Sequence, residues 1–430
     1  MEISSANPSA APGRPAPAKL WNRNFLLLWQ GQTVSQLGNQ AFSVAMMFWA
    51  MEKTGSASVV GLLMTFAVLP GVILSPFGGT FADRYSRIRI IVVCDFLAGF
   101  AILGMAAAMH FSDAPKFILP LLFGVAVFEG IVRSFFMPAI ASSIPDLVPR
   151  ERIAAANSLN QFSVQTCQIL GQAVGGVLYQ TIGAWKLFLF DGITFLFSGF
   201  TATGIDAPPA PVREKKAQGW SELWREFLGE TKEGLRYVWD RPGLRNFVAV
   251  AASINFFSMP TFVLFPFYVE KYLNAGADWY GFLLAGISAG SIAGFLLAGG
   301  LKLKGDVRAW TVVGCLVAGP LLIGGMGFTT NTYVALVLSF FGGAAFGMIN
   351  IYVMTLLQTS TPPELRGRVL GLLGTLGGAL MPIGMALGGW LGDLTDKNVP
   401  LIFGVSTALS VVSTLILATR PECRMFLRQD

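Results

Sequence analysis

Gly171-Gln172-Ala173-Val174-Gly175-Gly176-Val177-Leu178 returns 213 positions further along as Gly384-Met385-Ala386-Leu387-Gly388-Gly389-Trp390-Leu391. The register extends upstream without a gap: Pro149, Glu151 and Leu159 meet Pro362, Glu364 and Leu372 at the same offset. A unit repeated across half of a chain predicts two similar bundles. Composition decides what surrounds them. Of 430 residues, 53% are hydrophobic and only 13% are charged, whereas a soluble domain carries about 25% charged residues. Side chains that face lipid need no charge, so the chain reads as an all-α integral membrane protein whose two bundles flank a path.

Working outward from the repeat, apolar segments of about 20 residues, the length set by hydrocarbon thickness, fall near 25–50, 57–81, 88–109, 116–140, 158–182 and 186–205. A second six follow near 246–269, 279–301, 308–328, 332–357, 367–391 and 399–419. The expected plan is a tail at 1–22, a six-helix bundle at 23–205, a linker at 206–245, a second six-helix bundle at 246–420 and a tail at 421–430. Met1 to Lys19 is rich in Ala, Pro and Ser with no continuous apolar core, and reads as a disordered tail rather than a signal peptide. In the linker, Trp220, Leu223, Trp224, Phe227 and Leu228 share one helical face, which predicts an amphipathic helix lying on the membrane surface.

Lys and Arg set the orientation. Arg84, Arg87, Arg89, Arg150, Arg152, Lys304, Arg308, Arg366, Arg368 and the linker cluster fall on one side; the other has Lys53, Lys116, Lys186, Lys271 and Lys397. Both termini and the linker are therefore expected in the cytoplasm, with the chain in the plasma (inner) membrane. The net charge of +6 is spread over many short loops, which excludes a nucleic-acid surface. Cys94, Cys167, Cys315 and Cys423 lie far apart and read as small hydrophobes, and His110 is the single histidine. Metal clusters, histidine-based triads and phosphate-cradling loops are missing from the sequence, so neither an enzyme nor a cofactor is expected.

Charges inside a membrane are expensive, at least about 2.5–3.5 kcal/mol each at a helix centre, and are functional candidates by default. Glu129 lies near the middle of the fourth span, with Arg133 one turn on. At i,i+4 they can pair. The pair is either static or the place where a proton is taken up when the two separate. Asp95 in the third span belongs either to a cytoplasmic charge network or to the proton path, whereas Asp191 in the sixth reads as a packing residue. Uncharged polar stripes mark a cavity. Gln32, Ser35, Gln36, Asn39 and Ser43 follow one face of the first span, and Gln161, Gln165, Gln168 and Gln172 one face of the fifth. Facing lipid they would leave many donors unpaired, so both stripes are expected to face the interior. Asn255 in the seventh span and Asn350 in the tenth extend the set. Amides and aromatics with few fixed charges suit a bulky amphiphilic or hydrophobic solute.

Between the second and third spans, Gly79-Thr80-Phe81-Ala82-Asp83-Arg84-Tyr85-Ser86-Arg87 resembles the signature loop of the major facilitator superfamily, Gly-x-Leu-Ala-Asp-Arg-x-Gly-Arg. Ser86 stands where the usual glycine does. Asn24-Phe25, Ser35 to Asn39, Gly55-Ser56-Ala57 and Arg366-Gly367-Arg368-Val369 extend the likeness toward the exporter branch of macrolide-efflux and enterobactin-exporter-like proteins, with lysophospholipid transporters as near relatives. Gly171 to Gly176 stands where antiporters of the family carry Gly-Pro-x-x-Gly-Gly, with Gln172 in the proline's place.

The resemblance implies the twelve-helix major facilitator fold and alternating access by a monomer. It also implies proton-coupled efflux of an amphiphile, or transport of a lysophospholipid or siderophore on the same fold. From it come the gating roles of Gly79, as a close-packed glycine, and of Asp83, Arg84 and Arg87, as a latch against the start of the eleventh span. Glu129, Arg133 and Asp95 are then the proton-coupling candidates, and Gln32, Gln36, Asn39, Gln161, Gln165, Gln168, Asn255 and Asn350 the cavity candidates.

Overall fold

The computed structural model describes residues 20–112, 114–206, 229, 232, 235, 236, 238–301, 303–360, 378–422 and 428, without the side chains of Ser75, Pro76, Asp83, Gln358, Thr359, Ser360 and Leu417. The expected surface helix at Trp220–Leu228, the N-terminal tail, the start of the eleventh span at 367–377 and Arg366 to Arg368 lie outside the described residues.

Within them the chain forms twelve α-helices of defined bounds, with residues 229, 232, 235, 236, 238 and 239 also helical, and no strand. The first six are α1 Arg23–Thr54, α2 Ala57–Arg84, α3 Arg87–Phe111, α4 Pro115–Leu147, α5 Ile153–Ile182 and α6 Ala184–Thr203. The second six are α7 Pro242–Phe267, α8 Ala277–Leu301, α9 Gly305–Gly325, α10 Thr332–Ser360, α11 Met381–Leu394 and α12 Val399–Thr419. By length and composition, 8 of them qualify as membrane spans. The others include α1 and α5, whose amide-rich stripes lower their hydropathy.

Local chemistry ends these helices where the turns must be short. The Asn22 side chain accepts from the Phe25 N–H at 2.9 Å, satisfying one of the donors a helix start leaves open. Gly55 closes α1 in the left-handed region at φ 62°, a conformation that glycine adopts without strain. Ser56 caps α2 and Ser86 caps α3. Ser86 thereby gives the departure from the signature glycine a physical role: it starts α3 after a joint of two residues.

Helices α1 to α6 pack chiefly on one another: α1 on α5 and α6, α2 on α4, and α3 on α4 and α6. Helices α7 to α12 do the same, with α8 on α10, α9 on α10 and α12, and α7 on α11 and α12. The two sets meet along two seams, α5 with α8 and α2 with α11. Large apolar side chains such as Phe100, Phe200 and Leu296 point outward, as a lipid-facing surface requires.

The repeat explains the seams residue by residue. A Cβ on Gly171 would come within 3.0 Å of the Leu37 carbonyl oxygen of α1, and one on Gly384 within 2.8 Å of the Phe256 carbonyl oxygen of α7. Gly175 and Gly388 press the same two helices, at Ala41 and Pro260. Gly176 and Gly389 face the other way, across the seams. A Cβ on Gly176 would overlap the carbonyl of Ala277 at the start of α8, and one on Gly389 would lie 2.5 Å from the Ala57 carbonyl oxygen at the start of α2. Small residues let backbones approach where hydrophobicity supplies no driving force between helices. The contacts across the seams, at Gly176 and Gly389, lie at the distal end, away from the N-terminus of α1.

At the signature loop the close-packed glycine is Gly78, not Gly79. A Cβ on Gly78 would overlap the Ser134 carbonyl of α4, whereas Gly79 faces open space within an unbroken α2. The loop is only two residues long because α2 continues to Arg84, so Gly79 is helical rather than part of the turn. Gly79→Ala is therefore expected to stabilise by about 0.5–1 kcal/mol, the helix-propensity difference. Gly78→Ala is expected to destabilise by about 1–3 kcal/mol through overpacking. Thermal melts of the two purified variants in detergent check this pair.

Candidate functional site

A cavity of about 1260 Å³, part of it open to the outside, lies among α1 to α6. Helix α1 contributes Gln32, Ser35, Gln36, Asn39, Gln40 and Ser43, so the polar stripe of the first span faces inward as its spacing requires. Asp95 enters from α3, Glu129 and Arg133 from α4, and Asn160 and Val164 from α5. Apolar walls come from Phe42, Met46, Phe136, Met137 and Phe195.

The fifth-span stripe is differently phased from its expected role. Gln161, Gln165 and Gln168 do not line this cavity; the lining positions, 160 and 164, sit one residue earlier, about 100° round the helix. Gln172, standing in the motif proline's place, is used elsewhere: its amide and the Ser288 hydroxyl of α8 are hydrogen-bonded at 3.2 Å across the seam. Asn255 and Asn350 also lie outside the lining and are exposed on α7 and α10.

Asp95 is fully buried and held from one side. The Ser198 hydroxyl of α6 donates to its Oδ2 at 2.7 Å, and the Gln32 amide of α1 donates to that hydroxyl at 3.0 Å. Three helices are joined by this relay. Hydrogen bonds between membrane helices average about 0.6 kcal/mol, so the relay positions Asp95 more than it stabilises the bundle. Oδ1 is left without a hydrogen-bond partner. The alternative of a charge network with Arg87 is not what forms: Arg87 instead donates to Asp146 Oδ2 at 2.5 Å and to the Ser142 carbonyl at 2.8 Å, fastening α3 to the end of α4. Arg84 is exposed at the end of α2, and the side chain of Asp83 lies outside the described residues, as does its expected docking partner on the eleventh span.

Glu129 and Arg133 share the cavity without touching. No ion pair within 4.0 Å joins them, and Glu129 Oε1 has no hydrogen-bond partner. Arg133 is exposed in the opening and acts on Glu129 through space. The i,i+4 spacing permits a pair, but the guanidinium, with the most flexible stem here, turns to the wetter part of the cavity. Asp191 sits behind the cavity wall on α6. It is fully buried against α1, where a Cβ on Gly38 would lie 2.7 Å from its Oδ1, and its Oδ2 has no hydrogen-bond partner. Ser198 belongs to no sequence motif, although Asp191, Thr194, Ser198 and Thr201 recur at helical spacing, and all four are buried.

The second set of helices holds a smaller cavity of about 280 Å³, lined by Ser258, Thr261, Phe262, Phe346, Ser406 and neighbouring residues and by no ionisable group.

A sequence profile described as Major Facilitator Superfamily matches residues 28–382 and 306–424. Macrolide efflux protein A of Streptococcus pyogenes is 24% identical over 379 residues, 88% of this chain and 91% of that protein. The multidrug efflux pump Tap of Mycobacterium tuberculosis is 25% identical over 409 residues, 92% of each. Among solved structures, the nucleoside transporter NupG superposes with a TM-score of 0.70 at 12% identity, covering 92% of this chain and 98% of its own. The inward-open xylose transporter XylE of E. coli gives 0.64 at 16% identity, covering 92% and 96%. These two likenesses bear on the fold.

Proposed function

The chain belongs to the major facilitator superfamily, and from that premise we propose that it exports amphiphilic or hydrophobic small molecules from the cytoplasm in exchange for protons. It is a transporter and not an enzyme. The relatives named as efflux pumps support the outward direction. The observation that carries the coupling is the cavity itself: Glu129 and Asp95 meet there, each with one carboxyl oxygen that nothing else engages. A carboxyl group in an apolar setting without a cation in contact favours its proton-bearing form, and one facing a cation or water releases the proton. That exchange is what coupling needs.

The remaining lining fits an amphiphile, with amides of α1 on one wall and Phe42, Phe136, Met137 and Phe195 around it. Gln161, Gln165, Gln168, Asn255 and Asn350 are not carried into this site. Both termini are assigned to the cytoplasm by the basic residues, so the sealed distal end is the outer one and the cavity is poised to load from within. The transporter works as a monomer in the plasma membrane.

The reading is tested in energised, everted membrane vesicles with a pH-sensitive dye and a panel of amphiphilic drugs, siderophores and lysolipids. Proton release evoked by at least one drug supports it. Lysolipid movement with no proton release would replace it with an uncoupled lipid transporter on the same fold.

A further inference from the structure

Asp393, near the end of α11, takes no part in the cavity, yet among the described residues it makes the densest polar contact between the two sets of helices. Its Oδ1 accepts from the Ala57 N–H at 2.8 Å, and its Oδ2 accepts from the Ser58 N–H at 2.9 Å and the Ser56 hydroxyl at 2.7 Å. The donors are the cap and first turn of α2, the groups that a helix leaves without internal partners and whose partial positive charge attracts an anion. A single carboxylate thus serves as a borrowed cap for a helix of the other half.

The turn after α11 is shaped to support it. Asp396 and Lys397 both adopt left-handed backbone, at φ 52° and 55°, although neither is glycine. Conformations this disfavoured persist where surroundings over-determine them. Here the Lys397 N–H donates to the Gly392 carbonyl at 2.6 Å, and the chain returns the Lys397 ammonium to within 3.5 Å of Asp393 Oδ1. Burial opposes the charged carboxylate, but the hydrogen bonds from Ser56, Ser58 and Ala57 outweigh it and hold the carboxyl well below the usual carboxylate range.

The repeat supplies an internal control. The position 213 residues earlier is Gln180, whose amide lies against Gly276, immediately before α8. Both seams thus carry a polar side chain at the equivalent place, charged at Asp393 and neutral at Gln180, although the Asp278 carboxylate of α8 also lies beside Gly276. Packing alone does not demand the carboxylate.

We propose that Asp393 is a gating residue: its bond to the start of α2 holds the distal end shut, and each transport cycle must break it. Opening strips the carboxylate of three donors and takes the acceptor from the Ala57 and Ser58 N–H groups of α2, so the contact biases the protein toward the closed distal state.

The test is a distance measurement by double electron–electron resonance on the full chain in lipid nanodiscs. Spin labels are placed at Lys116→Cys and Tyr333→Cys, exposed distal positions in the two halves, with Cys94, Cys167, Cys315 and Cys423 replaced by serine. Asp393→Ala is expected to raise the ratio of long to short distances at least tenfold over the parent, and Asp393→Asn, which keeps one acceptor, to give a smaller rise. Gln180→Ala is expected to change the ratio less than twofold. An unchanged distribution in the Asp393 variants, with melting temperatures matching the parent, would overturn the proposal. If Asp393→Ala does not fold, the Asn variant decides alone. An equal opening caused by Gln180→Ala would also overturn it, by showing that any polar contact in either seam does the same.

Discussion

Glu129→Gln is expected to reduce substrate-evoked proton release in everted vesicles to the level of empty vesicles, while substrate exchange across the membrane persists. Glutamine keeps the size of the side chain and copies the neutral, proton-bearing form, so the cavity retains its shape. What it cannot do is exchange a proton. Since Arg133 makes no ion pair with Glu129, the substitution leaves no broken contact behind, and the loss falls on coupling rather than on folding. Counterflow of labelled substrate in proteoliposomes supplies the second readout and is expected to stay within threefold of the parent. Asp95→Asn is the necessary comparison. Its carboxyl is already engaged by Ser198 and, through it, by Gln32, so the substitution disturbs a relay joining three helices. Proton release surviving in Glu129→Gln but lost in Asp95→Asn would move the coupling role to Asp95. Survival in both would remove proton exchange from this cavity altogether.

The second large effect is steric. Gly176→Val is expected to lower transport at least a hundredfold and to leave the distal end open, because its Cβ would overlap the Ala277 carbonyl across the seam between α5 and α8. Expression and monodispersity are expected to survive, since the clash arises between the halves and can be relieved by parting them. Gly290→Val makes the contrast. There the overlap is with the Phe340 carbonyl of α10, inside one half, where no transport motion relieves it. That variant is expected to fold poorly, at a cost at or above the usual overpacking range of about 1–3 kcal/mol. Fluorescence-detected size exclusion separates the two, and spin-label distances across the distal end report the opening. A Gly176→Val protein that transports at the parent rate would show that the seam tolerates a gap there.

The parts of this molecule legible in the sequence were those with a period. The repeat located six glycines, and each pair occupies equivalent contacts in the two halves. The amide stripe of α1 faces the cavity because spacing alone fixes a helix face. The stripe of α5 shows the limit of that argument: a face can be identified without knowing which of two neighbours it meets, and Gln172 turned out to serve the seam rather than the cavity. Gly78 and Gly79 differ only in which backbone lies opposite, so no local pattern separates them. The Ser198–Asp95 bond spans 103 residues and the Ser56–Asp393 bond 337. Such bonds are set by tertiary approach, which a single sequence does not encode in any window. The same holds for Glu129 and Arg133, where spacing states that a pair is possible and the competing pull of water decides otherwise.

The glycine-lined seams also determine how the two halves can part. Helices that interlock through ridges and grooves are held in register and shift by a whole turn, as gear teeth do. Faces reduced to bare peptide at Gly61, Gly176, Gly281 and Gly389 have no teeth. Separation at these glycines needs no side chain to change rotamer and imposes no step length, so the distal end can peel progressively from its rim inward. In such a joint the firm stop has to come from a point fastening at the edge rather than from friction along the face.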